Sequence, residues 1–465
     1  MDKNSVKIVK SVAVSGETYA EFREADWLKK RCSTAWICIV YALIIGMEYS
    51  CISTSLLYYL QDDLKLQNPK LYYSLIMCLS ALSASVSALI SGKLFDKTRR
   101  LKLFMLVFTL LTLVGNLLYT MHVSVWFLVV GRFLCGLCDA AQPIISGEFS
   151  RLYEGPELTK KLSQYQALYA IGFLSGPAAP VMFGKIDIKI CSWWTLNQNN
   201  FVGIFMALLT LVILLAILLG VHDLSIQDVA ANTQSEMPIN TSQPPSNSSF
   251  NLKSILKNLD LMLLILSSSF TNALAGMLEL MINLTASDWF KWSLTRLGIV
   301  TCICVVIYTV LMLTVAHKVI QRYLKFLFLL CFPIHALCVI ILMLPKITNI
   351  DHLYSQEAHL ALCILTNTFT GLTISVLSRN LLFQMVPAGS ASFSDGFRST
   401  TQRIMGIVTF FLAAWAYDTS VVTSPILSLV LLMIAIILAT RRKFRPEVCG
   451  VNQEHRLLLD ENDNL

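Results

Sequence analysis

Residues 72–121 read YYSLIMCLSALSASVSALISGKLFDKTRRLKLFMLVFTLLTLVGNLLYTM. Two apolar runs, at about 72–94 and 101–121, are joined by one basic turn, Gly92-Lys93-Leu94-Phe95-Asp96-Lys97-Thr98-Arg99-Arg100. An apolar helix of about 20 residues, rising about 1.5 Å per residue, crosses the roughly 30 Å of bilayer hydrocarbon. Two such helices hinged on a cationic turn read as a membrane hairpin with its charges held on one side.

The same pattern repeats along the chain. Apolar runs fall at about 36–60, 72–94, 101–121, 124–148, 164–183 and 201–221, then at about 260–282, 297–316, 324–344, 358–380, 396–417 and 420–440. Between the two sets lies a Ser-, Asn-, Gln- and Pro-rich stretch at about 222–258, containing Gln243-Pro244-Pro245-Ser246-Asn247-Ser248-Ser249. Composition agrees: 55% of the 465 residues are hydrophobic, only 14% are charged, and the mean hydropathy is +0.64. Soluble domains have about 25% charged residues, so the excess needs lipid as its solvent. Twelve spans need roughly 240 apolar residues, close to what this composition supplies. The expected architecture is an all-α polytopic membrane protein of twelve transmembrane helices in two pseudo-symmetric six-helix bundles. Its expected parts are a cytosolic tail at 1–35, the first bundle at 36–221, a cytosolic central loop at 222–258, the second bundle at 259–440 and a cytosolic tail at 441–465. Residues 1–32 are polar and lack the h-region and cleavage site of a signal peptide, so the first span is expected to direct insertion.

Charge distribution sets the expected orientation. With the N-terminus cytosolic, 25 of the 36 Lys and Arg fall on inside segments and 7 on the opposite side, while Arg132, Arg379, Arg398 and Arg403 lie in or at the ends of spans. The bias places both termini in the cytosol. It also accounts for the net charge of +7 without a nucleic-acid partner. No His-Glu-x-x-His, P-loop or paired Cys-x-x-Cys occurs, so an enzyme, an ATP-driven pump or a bound cofactor has no sequence support. Cys135-Gly136-Leu137-Cys138 lies inside an apolar helix and reads as helix packing, and the 13 cysteines indicate no disulfide framework.

The turn Gly92–Arg100 resembles the loop signature of the major facilitator superfamily, Gly-x-x-x-Asp-Arg/Lys-x-Gly-Arg/Lys-Arg/Lys, matched here by Gly92, Asp96, Lys97 and Arg100. It departs at Arg99, where the family usually has Gly. The resemblance implies that Gly92 lets helix ends approach and that Asp96 sits by the positive N-terminus of a neighbouring helix. Gly131-Arg132-Phe133 in the fourth span and Gly172-Phe173-Leu174-Ser175-Gly176-Pro177 in the fifth are similar to two further family patterns. In the latter, Gly172 and Gly176 form a helix-packing pair and Pro177 interrupts the ladder beside it. The texture around Gly131–Gly136 and Gln166–Pro177 resembles the animal lysosomal ceroid-lipofuscinosis-type members and their SPX-domain relatives. The resemblance covers about 35–440. It implies a secondary transporter moving a small solute by alternating access, with proton coupling. Two alternatives stand beside it: a lysosomal chloride channel-like protein, and a non-transporting accessory subunit.

Ionisable residues inside spans are the candidates for transport, because charge in hydrocarbon is costly and turns toward a cavity. Glu48, about 18 Å into the first span by helix rise, is the leading proton-accepting candidate, with a structural ion pair that never titrates as the competing reading. Arg132 and Asp139, two turns apart in the fourth span, are expected to share one face. Arg403 is a candidate to bind an anion or neutralise Glu48, and Glu279 to gate the outer vestibule. Arg379 and Arg398 are expected to snorkel to the cytosolic face, and Glu148 and Arg151 to be interfacial. The Trp193-Trp194 and Trp289–Trp292 clusters read as an interfacial aromatic belt.

The tail sequence Glu454-His455-Arg456-Leu457-Leu458-Leu459 resembles the acidic dileucine signal, with Glu454, Leu458 and Leu459 as its determinants. That signal implies clathrin adaptors as partners and a lysosomal membrane, with the plasma membrane as the alternative. Of the sequons at Asn240, Asn247 and Asn283, only Asn283 is expected on the outer side as a glycosylation candidate.

Overall fold

The computed structural model describes residues 3–121, 123–176, 186–191, 194–226, 252–286, 323–348 and 356–444, with Phe183, 290–292 and short pieces between 296 and 311. The apolar runs are helices: α1 (Lys3–Tyr58), α2 (Pro69–Thr98), α3 (Leu101–Tyr119), α4 (Val125–Cys138), α5 (Ala141–Leu152), α6 (Gly155–Ser175) and α7 (Gln198–Gly220). After a short α8 (Leu252–Lys257) come α9 (Leu259–Leu284), α10 (Leu324–Thr348), α11 (Gln356–Met385), α12 (Ala391–Asp418) and α13 (Ser420–Thr440). Among the described residues, 9 helical segments are long and apolar enough to cross a bilayer. They are Ala25–Ile52, Leu71–Thr98, Leu101–Tyr119, Val125–Leu152, Asn199–Ile226, Leu259–Glu279, Leu324–Leu342, Ala358–Met385 and Val421–Thr440. Helices α6 and α12 have the length but carry charge within, Lys160 and Lys161 in one and Asp395, Arg398 and Arg403 in the other. The run at 297–316 falls largely outside the described residues.

Local chemistry explains the boundaries. Pro69 opens α2, and Arg99 ends it in the left-handed region (φ 54°), donating its backbone N–H to Phe95 O at 2.8 Å. That is the position where the family usually has Gly. The fourth span is broken at Asp139 and Ala140 into α4 and α5. Pro143 lies four residues past Asp139 and cannot donate to its carbonyl, so the ladder fails there. Asn197 starts α7 with a capping box, accepting from Asn199 N (3.1 Å) and Asn200 N (3.2 Å) while Asn200 Oδ1 accepts from Asn197 N (2.8 Å).

Three features depart from expectation. Helix α1 begins at Lys3, so the polar N-terminal stretch continues the first span as helix. A two-stranded antiparallel hairpin, β1 (Asp187–Cys191) with β2 (Trp194–Asn197), covers the end opposite Asp96. It is tied down by Trp194 Nε1 donating to Thr120 O at 2.8 Å and by Asn197 Nδ2 donating to Asp63 Oδ1 at 2.5 Å. Trp292 is buried in the second core rather than lying in a belt.

The pairing of helices reveals the repeat. Helix α1 packs on α6 and α3 on α7 in the first half, matched by α9 on α12 and α10 on α13 in the second. These are spans one and five, and three and six, of each bundle. Between the halves run α2 against α12, α5 against α12, and α6 against α11. The α1–α6 contact uses the small-residue pair. A Cβ on Gly172 would lie 2.8 Å from Leu43 C, and one on Gly176 would lie 2.7 Å from Cys51 N. Only glycine permits that approach. Pro177 lies outside the described residues.

Candidate functional site

At one end of the molecule the halves are latched together through the Gly92–Arg100 turn. A Cβ on Gly92 would lie 2.7 Å from Ser392 O, so glycine lets α2 meet the start of α12. Asp96 accepts from Phe393 N at 2.7 Å and Ser392 N at 3.2 Å, answering first-turn N–H groups that α12 leaves unpaired. Its carboxylate also pairs with Arg151, which lies 3.5 Å from Glu148 and donates to Ser392 Oγ at 3.4 Å. Lys97 and Arg100 are exposed beside it. Glu148 is buried and accepts from Ser225 Oγ at 2.5 Å, so Glu148 and Arg151 are not interfacial but part of this network. Asn380 Nδ2 donates to Thr159 Oγ1, and Thr400 Oγ1 donates to Ser85 O at 2.7 Å, joining the halves again on this side.

One to two turns deeper lies a second charged group. Asp395 and Arg398 are fully buried and Arg379 nearly so. Arg398 Nη2 stands 2.6 Å and Arg379 Nε 3.4 Å from the Asp395 carboxylate. With its amide oxygen turned inward, Gln142 accepts from Arg379 Nη1 at 3.2 Å. The expectation that Arg379 and Arg398 snorkel is therefore overturned. Asp395, one turn from Arg398 on α12 and reaching Arg379 from across on α11, offers each guanidinium a stronger partner than the distant headgroup region.

At mid-depth, about 18 Å along α12 by helix rise, Arg403 Nη1 pairs with Asp139 at 2.8 Å across the halves. Both side chains keep about a quarter of their exposure, 22% and 26%. Glu48 pairs instead with Arg132, inside the first half, and these side chains are only 10% and 5% exposed. Arg403 thus neutralises Asp139 and not Glu48. Arg132 lies on α4 and Asp139 caps its end, and the two take different partners, one inside the first half and one across the halves. A small, mostly apolar cavity lies within the first half, lined by Tyr41, Ile44, Ile45, Glu48, Cys135 and Asp139 among others.

Glu279 on α9 is exposed, and among the described residues no cation or hydrogen-bond donor pairs with it. Tyr49 lies within electrostatic reach of Asp139, Glu279 and Arg403, and stacks on Phe173 with ring centroids 6.0 Å apart. A Cβ on Gly276 or Gly406, each one turn from Glu279 or Arg403, would meet nothing within 4 Å. The space between the halves therefore borders Glu279, Tyr49 and the Asp139–Arg403 pair while the Asp96 end is closed. Asn283 falls in the last turn of α9, and Glu454, Leu458 and Leu459 lie outside the described residues.

Sequence reasoning missed Asp395, Gln142, Tyr49 and Tyr169, whose phenol on α6 lies within electrostatic reach of Asp139, Tyr49 and Arg403. Asp395 left a signal, since an Asp-x-x-Arg pair inside a span places both charges on one helix face. The tyrosines left none.

A sequence model of the Major Facilitator Superfamily matches residues 38–410. The chain belongs to that superfamily. No curated protein sequence matches it. Among solved structures it is similar to the human organic anion transporter MFSD10 (TETRAN), at 12% identity and TM-score 0.66, covering 87% of this chain and 99% of that one. It is also similar to a bacterial homologue of the iron transporter ferroportin in an outward-facing state, at 13% identity and TM-score 0.63, covering 88% and 100%. A third is the proton:xylose symporter XylE bound to 6-bromo-6-deoxy-D-glucose, at 12% identity and TM-score 0.65, covering 88% and 95%. These likenesses carry the twelve-helix fold.

Proposed function

We propose that the protein is a proton-coupled secondary transporter that carries a small solute by alternating access, with Glu279 as the titrating carboxylate. The observation that carries this reading is the contrast between Glu279 and the other described carboxylates of the interface. Asp96, Asp139, Glu148 and Asp395 each face a guanidinium, as does Glu48, whereas Glu279 borders the open space without one. A carboxylate held by a cation stays ionised, and one left alone in a cavity is free to gain and lose a proton. The Asp139–Arg403 pair joins the halves at the depth where a solute would bind, so opening the Asp96 end must loosen or exchange it. Glu48 and Arg132 hold α1 to α4 as scaffold.

The reading includes an orientation and an address. The Lys and Arg bias supports cytosolic termini, which makes the Asp96 end cytosolic and the open side lumenal. The Glu454, Leu458 and Leu459 pattern supports clathrin-adaptor sorting to lysosomes, whose acid lumen would load Glu279. Glycosylation at Asn283 belongs to the same orientation.

The test is uptake by cells expressing Leu458→Ala/Leu459→Ala protein at the surface, across a panel of solutes, as outside pH is stepped from neutral to acid. Acid-stimulated, saturable uptake that Glu279→Gln makes pH-independent supports the reading. A large anion current unchanged in Glu279→Gln would replace it with the channel alternative, and neither flux nor current would favour an accessory subunit.

A further inference from the structure

The face where α1 enters the bilayer carries cations that the closing network does not use. Lys29, Lys30 and Arg31 lie on α1, and Lys160 and Lys161 on α6, the helix packed beside it. Two carboxylates answer them: Asp26 lies 2.6 Å from Lys30, and Glu157 lies 2.7 Å from Arg31. Lys160 and Arg31 both stand close enough to repel Lys161, which Glu157 in turn attracts.

Aromatic rings hold this charge in place. The Arg31 guanidinium sits 4.2 Å from the centroid of Tyr153 and 5.3 Å from that of Trp27. The Lys161 ammonium sits 5.4 Å from Trp36 and 5.7 Å from the same Tyr153 ring. Two cations therefore share one phenol, an arrangement in which ring faces stabilise each charge but mutual repulsion remains. Trp36, 49% exposed, begins the apolar run and faces outward. Excess cations stacked on aromatics at the polar edge of a span match a phosphodiester with acyl chains attached.

We infer that the α1–α6 face binds the headgroup of an anionic phospholipid, its phosphate held by Arg31, Lys160 and Lys161 and an acyl chain lying along Trp36. The site is separate from the space between the halves. Because α1 and α6 are both part of the first half, a lipid there stays with that half as the other moves.

The experiment is native mass spectrometry of the delipidated full-length protein titrated with phosphatidylserine, phosphatidylcholine or inorganic phosphate. Phosphatidylserine is expected to bind at least tenfold more tightly than phosphatidylcholine. Lys160→Gln/Lys161→Gln is expected to weaken it about 25-fold, at about fivefold per cation, while Lys160→Arg/Lys161→Arg retains it. A second readout protects against misfolded variants: phosphatidylserine brominated on its acyl chain is expected to quench tryptophan fluorescence more than brominated phosphatidylcholine, and Trp36→Phe to abolish the difference. Equal binding of the two lipids, or an unchanged affinity in the glutamine variant, would overturn the assignment and leave the cations as ordinary snorkelling side chains. Displacement of phosphatidylserine by millimolar inorganic phosphate would overturn it too, marking a site for free anions.

Discussion

Glu48→Gln separates a scaffold from a coupling group. In the native protein the Glu48 carboxylate meets Arg132, with side chains only 10% and 5% exposed. Among the described residues Arg132 Nε has no partner and Glu48 is the carboxylate that meets the guanidinium, so Arg132 depends on Glu48 for its counter-charge. Neutralising Glu48 strands a buried cation, and removing one partner of such a pair costs about 3–5 kcal/mol. Replacing both by apolar residues of similar volume, as in Glu48→Leu/Arg132→Met, removes the stranded charge and is expected to restore most of the loss. The assay is denaturant titration in mixed micelles of wild type, both single variants and the double variant, closed as a mutant cycle. A coupling energy of about 3 kcal/mol or more, with pH-dependent transport surviving in the double variant, is the expected result. Stability within about 1 kcal/mol of wild type in Glu48→Gln, together with loss of pH dependence, would refute the reasoning and make Glu48 the titrating group.

Asp96→Asn removes a charged acceptor from two N–H groups and a guanidinium, interactions worth about 1.5–3 kcal/mol. It should shift the balance toward opening of that end by roughly 10- to 100-fold, read as faster labelling of a cysteine placed at Ser392. Asp395→Asn should destabilise more than Arg398→Gln, since the first leaves two guanidiniums buried and the second leaves the balanced Arg379–Asp395 pair; comparison of their melting temperatures decides the order. At Arg99, whose φ is 54° and whose Nε donates to Asp96 O at 2.9 Å, Gly should be near neutral, because about 1 kcal/mol of left-handed strain offsets one hydrogen bond. Arg99→Val, which loses the bond and keeps the strain, should lower stability measurably in the same melts.

What was legible in the sequence followed from one-dimensional physics. Lipid demands runs of apolar residues, and the Gly92–Arg100 turn and the Gly172–Gly176 pair are local patterns whose geometry is set within a few residues. The partners of the charges were not legible. Glu48 and Arg132 are 84 positions apart, and Asp139 and Arg403 are 264, so only the packing of the bundles decides which carboxylate meets which guanidinium. The failure at Arg379 has the same origin, since Asp395 reaches it from another helix, whereas Arg398 meets Asp395 one turn away on its own helix, a pairing the sequence did carry. The break at Asp139, by contrast, was written in Pro143.

The central claim, that the Asp96 end opens and closes under the control of Glu279, is tested most directly by a distance across that end. Spin labels at Lys97 and Gly389, both exposed and on opposite halves, would be placed in protein whose exposed Cys32 and Cys191 are replaced by Ser, and the distance distribution followed from neutral to acid pH in nanodiscs. The account predicts a short and a long population whose ratio moves with pH in wild type and stays fixed in Glu279→Gln. A single short distance at every pH, or a Glu279→Gln variant that responds as wild type does, would contradict it.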